Sequence, residues 1–181
     1  MIKLMVASDI HGSAYYCKKM LEAFDREQAD RLLLLGDILY HGPRNDLPKE
    51  YAPKEVIALL NPMKNRIYAV RGNCEAEVDQ MVLDFPVMAD YCILAIEGKT
   101  MYATHGHIYN KDNLPPMMDG DILIHGHTHV LKAENMGDYI LLNPGSVSIP
   151  KEGNPPTYAI LENGIFTIKD FEGNTVREIT L

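Results

Sequence analysis

The sequence has few cysteines, a deficit of cationic side chains and no long apolar segment. Its three cysteines (Cys17, Cys74 and Cys92) are far apart and odd in number, so a disulfide framework is not expected and a reducing compartment is favoured. Lys and Arg total 17 against 25 Asp and Glu, and the formal net charge of −8 argues against a nucleic-acid-binding surface. The opening apolar run stops at Asp9, too short for a signal peptide, and no later run could span a membrane. We therefore expect a cytoplasmic protein with no nucleic-acid or membrane partner.

Internal repeats, low-complexity segments and linkers are also missing, which predicts a single domain over residues 1–181. Apolar runs at 2–7, 31–35 and 67–70 are typical of buried strands. Helical periodicity begins after Ser13, and Pro53 suits the first position of a second helix that ends near Leu60. This alternation predicts a parallel sheet with right-handed crossovers.

The second half of the sequence has a different pattern. Runs at 91–96 and 100–104 flank Glu97-Gly98-Lys99, which predicts a hairpin, and residues 121–124 predict another strand. Turn residues then recur through the C-terminal third, so its strands should be largely antiparallel. The predicted fold class is α/β, with two packed sheets and helices outside.

Three histidines alternate in His125-Gly126-His127-Thr128-His129, directly after the apolar run. Neutral imidazole binds several divalent metals, and in extended backbone residues two apart point the same way. Such a tract can also arise by accident. It becomes informative only if other ligands converge on it.

Other polar residues also follow predicted strands. Asp9 and His11 follow the first strand, Asp37 the second, Asn73 the third, and His105 and His107 the run that ends at Thr104. Sites in sheets with parallel strands form at the carboxyl ends of the strands, so these side chains should meet. Solvated loops would explain any one of these four turns or the histidine tract, but not all five together.

The donors in this set are carboxylate, amide and imidazole groups, without the paired thiolates of most structural zinc sites. They exceed the needs of one tetrahedral ion. Two ions about 3.5–4 Å apart use such a set naturally and suit displacement at phosphorus.

The motifs Asp9-x-His11, Gly36-Asp37, Gly72-Asn73, His105 and Gly126-His127-x-His129, in this order, resemble those of the calcineurin-like metallophosphoesterases. The match covers nearly the whole chain, and the compact length and Asn143-Pro144-Gly145-Ser146 resemble the small bacterial and archaeal branch. The resemblance implies a sandwich of two mixed sheets flanked by helices.

The resemblance also implies a ligand set and an activity. One ion would be held by Asp9, His11 and His129, and a second by Asn73, His105 and His127, with Asp37 bridging both. The implied activity is hydrolysis of a small phosphoric ester, a diester more than a monoester, by a metal-activated water. Manganese is the first choice of metal, with zinc, iron or nickel as alternatives, and a homo-oligomer is an expectation of the resemblance.

Cys74 departs from the family pattern, because a histidine commonly follows the asparagine and assists the leaving group. A thiol is a weaker hydrogen-bond donor, so slower turnover or substrates with good leaving groups are expected. Asn73, Cys74 and Arg44 are the candidate catalytic residues. Cys74 could equally be a space-filling thiol, and Arg44 a solvated loop residue.

Several candidates and two other functions stay open. The remaining polar residues are candidates for further contacts with the pocket or the phosphate: His41, Asn45, Arg71, His107, Lys111 and Lys151. His125 is interpreted as a supporting or core histidine. The other functions are a non-catalytic protein-binding scaffold of the same fold, favoured by Cys74, and a structural zinc protein with about one ion per chain.

Overall fold

Eleven strands form two sheets in the computed structural model, which describes residues 2–96 and 98–181. In chain order the strands are β1 Leu4–Ala7, β2 Arg31–Leu34, β3 Ile67–Ala69, β4 Tyr91–Ile96, β5 Lys99–Thr104, β6 Ile122–Ile124, β7 Lys132–Asn135, β8 Ile140–Asn143, β9 Thr157–Glu162, β10 Ile165–Asp170 and β11 Thr175–Thr180. The first sheet has the order β11-β10-β9-β1-β2-β3, and the second has the order β4-β5-β6-β8-β7. The two-sheet α/β architecture is therefore confirmed.

Strands β1, β2 and β3 pair in parallel, as the alternation of apolar runs and helices predicts. The C-terminal strands β9, β10 and β11 pair antiparallel, and β9 joins β1 antiparallel. Two pairings differ from the prediction of a largely antiparallel C-terminal third: β8 lies parallel to β6, and β6 lies parallel to β5. Both sheets are consequently mixed.

Three α-helices and a 3₁₀ helix are present in the described residues. They are α1 Ala14–Arg26, α2 Pro53–Leu60, the 3₁₀ helix Asn61–Arg66 and α3 Glu77–Val82. The Ser13 side chain caps α1 by accepting a hydrogen bond from the backbone N–H of Tyr16, and Pro53 occupies the first turn of α2. The 3₁₀ helix and α3 were not predicted, and the hairpin predicted at 97–99 includes Glu97, which lies outside the described residues.

The apolar strands of the first sheet are buried on both faces. Met5, Leu32 and Leu34 contribute to a core with α1 and α2, whereas Val6 and Leu33 belong to a second core between the sheets. Because alternate residues point to opposite faces, a strand covered on both sides needs an unbroken apolar run. None of the described helices is both long and apolar enough to cross a membrane.

Candidate metal centre

The carboxyl ends of strands from both sheets meet at one edge of the sandwich. Asp9 follows β1, Asp37 follows β2, and His105 directly follows β5. The turns are joined by backbone hydrogen bonds, since the N–H of Asp9 donates to Gly36 O at 3.1 Å and that of Gly126 donates to His105 O at 2.8 Å. The seven predicted ligands converge there: Asp9, His11, Asp37, Asn73, His105, His127 and His129.

Backbone strain concentrates at these turns. Of nine described non-glycine residues with positive φ, five are predicted ligands. They are Asp9 (59°), His11 (49°), Asp37 (55°), His127 (63°) and His129 (59°). Left-handed backbone is unfavourable for residues with a Cβ, and it persists where the surrounding structure imposes it, frequently at functional sites. The turns therefore aim these side chains at a cost in backbone energy.

A first group consists of Asp9, His11 and His129. The His11 and His129 Nε2 atoms are 3.3 Å apart, and Asp9 Oδ1 lies 3.1 Å from His129 Nε2 and 3.6 Å from His11 Nε2. The Nδ1 of His11 donates to Tyr40 O at 2.7 Å, and that of His129 donates to Ile149 O at 2.6 Å. These bonds place the hydrogen on Nδ1, so each Nε2 presents a lone pair to the centre of the group.

A second group surrounds His105. Its Nε2 lies 3.1 Å from Asn73 Oδ1 and 3.2 Å from His127 Nδ1, while its Nδ1 donates to Leu35 O at 2.6 Å. Asp37 stands between the two groups, because its Oδ1 is 3.5 Å from His105 Nε2 and its Oδ2 is 3.6 Å from His11 Nε2. One carboxylate therefore faces both groups, as a bridging ligand would.

The donor atoms of these residues suit divalent cations, and their arrangement is unfavourable without a cation. Asp9 Oδ2 accepts hydrogen bonds from the Ser8 hydroxyl and from the backbone N–H of His127, but the buried Oδ1 has no hydrogen-bond partner among the described residues. That oxygen and two imidazole lone pairs converge without a donor between them. Buried acceptors without a donor are costly, and a cation placed among them removes the cost.

The pKa values in the first group depend on the short distances between its members. Burial raises the pKa of Asp9, but the adjacent imidazoles of His11 and His129 outweigh this effect and hold the pKa of Asp9 well below its usual value. Burial lowers the pKa of His11, yet the adjacent Asp9 carboxylate raises it overall. An Asp9 carboxylate that stays ionised is the form that binds a cation.

His127 has the opposite environment. Burial and the nearby His105 lower the pKa of His127 to about 4. His127 is therefore a neutral imidazole at neutral pH, the form that binds metal.

Glycines allow the turns to approach one another. A Cβ on Gly72 would lie 2.1 Å from Asp37 Oδ1, and one on Gly36 would lie 2.5 Å from the backbone N of Gly72. Real Cβ atoms do not approach so closely, so an alanine at either position would displace the Asp37 turn. The glycine preceding each of these ligands is thus explained by packing of backbone on backbone.

Glu75, which follows β3, joins two of these turns. Its carboxylate accepts from the backbone N–H groups of Asp37 (2.8 Å), Ile38 (2.7 Å) and Gly72 (2.5 Å). Burial and the charge of Asp37 raise the pKa of Glu75. Glu75 therefore connects the turn after β2 to the turn after β3. Sequence spacing does not reveal this connection, because the two turns are far apart in the chain.

Two serines were also missed by the sequence analysis. Ser146 and Ser148 each donate a hydroxyl hydrogen bond to Asp9 O, at 3.0 and 3.1 Å. They follow the Asn143-Pro144 turn, so a turn signal was present, but nothing in it pointed to Asp9.

A cavity of about 380 Å³ opens beside the two groups. Arg44, Asn45, Cys74 and Lys151 line it, together with Asp37 and several ligands from both groups. Cys74 is half-buried; its backbone N–H donates to Asp37 Oδ1 at 2.9 Å and its sulfur accepts from Asn73 Nδ2 at 3.3 Å. Burial and the charge of Asp37 raise the pKa of Cys74, which keeps it a neutral thiol.

The remaining candidates lie away from the cavity or have other contacts. Arg71 pairs with Asp90 at 2.6 Å and the exposed Lys111 pairs with Asp112 at 2.7 Å, and neither residue lines the cavity. Phosphate contact by Arg71 or Lys111 stays a prediction.

Three histidines outside the ligand set have distinct environments. His125 is buried, and its Nδ1 faces Gly126 O at 3.0 Å, consistent with a supporting role. The His107 ring lies 5.4 Å from that of His105, and burial lowers its pKa. His41 packs edge-on against Tyr40 and Tyr51.

Comparisons with known proteins agree with this geometry. Residues 2–164 match the model of the calcineurin-like phosphoesterase superfamily domain. The chain is 48% identical over 168 residues to the Escherichia coli phosphodiesterase YfcE, covering 93% of this chain and 91% of that protein. It is 24% identical to the phosphodiesterase MJ0936 of Methanocaldococcus jannaschii, with 99% of each covered.

Solved structures are similar as well. A structure of the E. coli phosphoesterase YfcE superposes with a TM-score of 0.96 at 44% identity, covering 99% of both chains. Zinc-bound Vps29 from Entamoeba histolytica superposes with a TM-score of 0.63 at 19% identity, again over 99% of both chains, and shows likeness of fold alone.

Proposed function

Because the chain belongs to the calcineurin-like phosphoesterase superfamily, we propose that it is a metal-dependent phosphodiesterase, with residues 1–181 forming one catalytic domain. The observation that carries the proposal is the convergence of two ligand groups on either side of Asp37, with Asp9 Oδ1 buried and lacking a hydrogen-bond partner among the described residues. Three free cysteines agree with a reducing, cytoplasmic setting.

The proposal assigns two divalent ions to the centre. Asp9, His11 and His129 would hold one, and Asn73, His105 and His127 the other, with Asp37 shared. When bound, such ions withdraw charge from phosphoryl oxygens and lower the pKa of a water molecule. Manganese is our first choice, with zinc, iron and nickel as alternatives, because mixed oxygen and imidazole donors suit each of them.

The side chains around the cavity favour a diester substrate. Of the four cations considered for phosphate contact, Arg44 and Lys151 line the cavity, whereas Arg71 and Lys111 are paired elsewhere. A diester carries one negative charge fewer than a fully ionised monoester, so it needs fewer cationic partners. Arg44 would bind a non-bridging oxygen through its planar guanidinium.

Asn73 and Cys74 would act beside the reacting phosphate. Asn73 directs its amide oxygen toward His105 and its Nδ2 toward the sulfur of Cys74, which fixes the orientation of the amide. The neutral thiol of Cys74 can donate a weak hydrogen bond to the leaving oxygen. Such weak assistance suits esters with good leaving groups.

Hydrolysis of bis(4-nitrophenyl) phosphate with added manganese tests the proposal directly. The wild type should release nitrophenolate, while Asp37→Asn and His127→Ala should each be slower by more than about 100-fold, since even outer partners of metal ligands cost about 10–100-fold. Equal rates in all three proteins would refute the enzyme assignment.

A protein-binding scaffold is the second candidate function. Strand β4 lies at an edge of the second sheet, and it exposes Tyr91 (47%) and Ile93 (53%) on one face. Exposed apolar edge strands commonly mark interaction surfaces. This function predicts no hydrolysis at all. The homo-oligomer implied by the family resemblance stays a prediction.

A further inference from the structure

Cys74 belongs to a further cluster of donors, in which its sulfur is the atom that the proposed two-metal assignment does not use. Ligand atoms of His11, Asp37 and Cys74 all lie within 4.8 Å of one another. The backbone N–H of Cys74 donates to Asp37 Oδ1 at 2.9 Å, so the thiol-bearing residue is fixed relative to the shared carboxylate. One cation could therefore contact a thiolate, an imidazole and a carboxylate together.

The sulfur is also open toward the cavity. Cys74 is half-buried and lines the cavity beside Gly42. A Cβ placed on Gly42 would reach only to 3.4 Å from the Cys74 sulfur, so the glycine leaves that side of the thiol free. A small ion entering the cavity can reach the sulfur without displacing backbone.

A second observation is that a buried acceptor without a donor lies next to this cluster. Asp9 is fully buried, and its Oδ1 has no hydrogen-bond partner among the described residues. That oxygen points at the Nε2 atoms of His11 (3.6 Å) and His129 (3.1 Å), and His11 is also a member of the cluster with Cys74. The cluster therefore lies next to a carboxylate oxygen that lacks a hydrogen-bond donor.

We propose that Cys74, with His11 and Asp37, is a binding site for thiophilic divalent cations such as Cd²⁺ and Zn²⁺. This rests on the proposed function, where His11 and Asp37 are metal ligands. Thiolate prefers soft ions, whereas oxygen and imidazole donors alone suit Mn²⁺. When a soft ion binds, a metal–sulfur bond forms and the S–H proton leaves to solvent, with no change of oxidation state. With Mn²⁺ bound, Cys74 stays a thiol.

The two uses of His11 and Asp37 exclude each other. An ion held on Cys74 engages His11 and Asp37, so it should prevent the arrangement proposed for hydrolysis. Cd²⁺ should consequently inhibit the manganese-loaded protein, and Cys74→Ser should be resistant, because a hydroxyl is a poor ligand for a soft ion.

Titration of the metal-depleted protein with Cd²⁺ alone tests the site without measuring activity. We expect the ultraviolet charge-transfer band of a cadmium–thiolate bond in the wild type and in Cys92→Ser, whose cysteine lies on β4. Cys74→Ser and Cys74→Ala should lack the band and bind Cd²⁺ at least about tenfold more weakly, the lower limit for losing a partner of a metal site. Mn²⁺ affinity, followed by electron paramagnetic resonance, should be the same in wild type and Cys74→Ser.

Two results would overturn the inference. One is a wild type without the band, and the other is a folded Cys74→Ser or Cys74→Ala that keeps it. Failure of the proposed function gives a different pattern, since a protein inactive toward bis(4-nitrophenyl) phosphate with manganese can still show the band and lose it with Cys74.

Discussion

Two carboxylates held among basic side chains, Glu27 and Asp9, have very different surroundings. Glu27 accepts hydrogen bonds from Lys169 Nζ at 2.8 and 3.0 Å and from the Tyr158 hydroxyl at 2.8 Å, and Lys3 Nζ lies 3.9 Å away. Asp9 has one oxygen satisfied by Ser8 and His127, while the other faces imidazole lone pairs. The chain supplies hydrogen-bond donors to both oxygens of Glu27 but to only one oxygen of Asp9.

The difference separates a cluster that stabilises the fold from one built to bind. Lysine and tyrosine donate hydrogens to Glu27, so the protein alone completes that cluster. At Asp9 the hydrogens of His11 and His129 are committed to the carbonyls of Tyr40 and Ile149, which leaves acceptors facing acceptors. Left-handed backbone at five of the predicted ligands further raises the free energy of the folded state at the candidate metal centre. A cation of the right size repays part of both costs.

The strongest test of this contrast separates the three histidines of the 125–129 tract. His127→Ala and His129→Ala should each remove a ligand from a different group. Each variant should bind metal at one of the two positions more than about 100-fold more weakly. His125→Ala should leave both positions occupied, because His125 faces Gly126 O instead of the ligand groups. Metal analysis with manganese, combined with spectroscopy of each variant, reports the two positions separately.

The matched control is Glu27→Gln, which removes a carboxylate from the complete cluster. It should bind two ions per chain like the wild type. Loss of metal in His125→Ala or in Glu27→Gln would show that metal binding responds to general destabilisation, and the contrast between the two clusters would fail.

A smaller effect is expected from Cys74→His. The imidazole would occupy the cavity wall beside Asn73 and supply a better proton donor than the neutral thiol. General acid assistance is worth roughly 10²–10⁴ in rate, and a side chain placed without further adjustment should recover at least about tenfold. Rates on bis(4-nitrophenyl) phosphate and on esters with poorer leaving groups measure this, and the gain should be larger on the poorer leaving groups. A variant that keeps its metals but loses activity on every ester would contradict the hypothesis.

The positions of the ligands were predictable from the sequence because short polar turns follow apolar runs directly. Asp9, Asp37 and His105 each come within three residues of a strand end, and parallel strands bring such ends to one edge. Contacts that depend on distant residues were not predictable. Glu75 binds the N–H groups of Asp37 and Ile38 through a side chain that belongs to another turn.

The missed secondary structure has a related cause. Helix α3 has only six residues, and its apolar members Val78 (60%) and Met81 (82%) are exposed, so the sequence carries no buried face with helical periodicity. The parallel pairing of β6 with β8 was missed because the turn residues around β7 indicate a hairpin, and they do not specify which strand β8 joins on its other side. Local sequence patterns therefore predicted the strands and helices better than they predicted which strands pair with one another.

The smallest effect is expected at Glu27 itself, and it depends on pH in a defined direction. Burial raises the pKa of Glu27, but the hydrogen bonds from Lys169 and Tyr158 outweigh this effect and lower the pKa of Glu27 below the ordinary value for a glutamate. A carboxyl whose pKa is lowered by folding stabilises the protein above its unfolded pKa, and that contribution is lost as pH falls through the folded pKa. Glu27→Gln should thus lower the free energy of unfolding by about 1 kcal/mol at neutral pH, and the difference should shrink on acidification. Asp9→Asn provides the comparison: it should abolish the stabilisation by added Mn²⁺ that Glu27→Gln retains, because only the incomplete cluster gains a partner from the metal. Denaturant unfolding at several pH values, with and without Mn²⁺, measures both effects, and equal responses of the two variants to Mn²⁺ would remove the distinction.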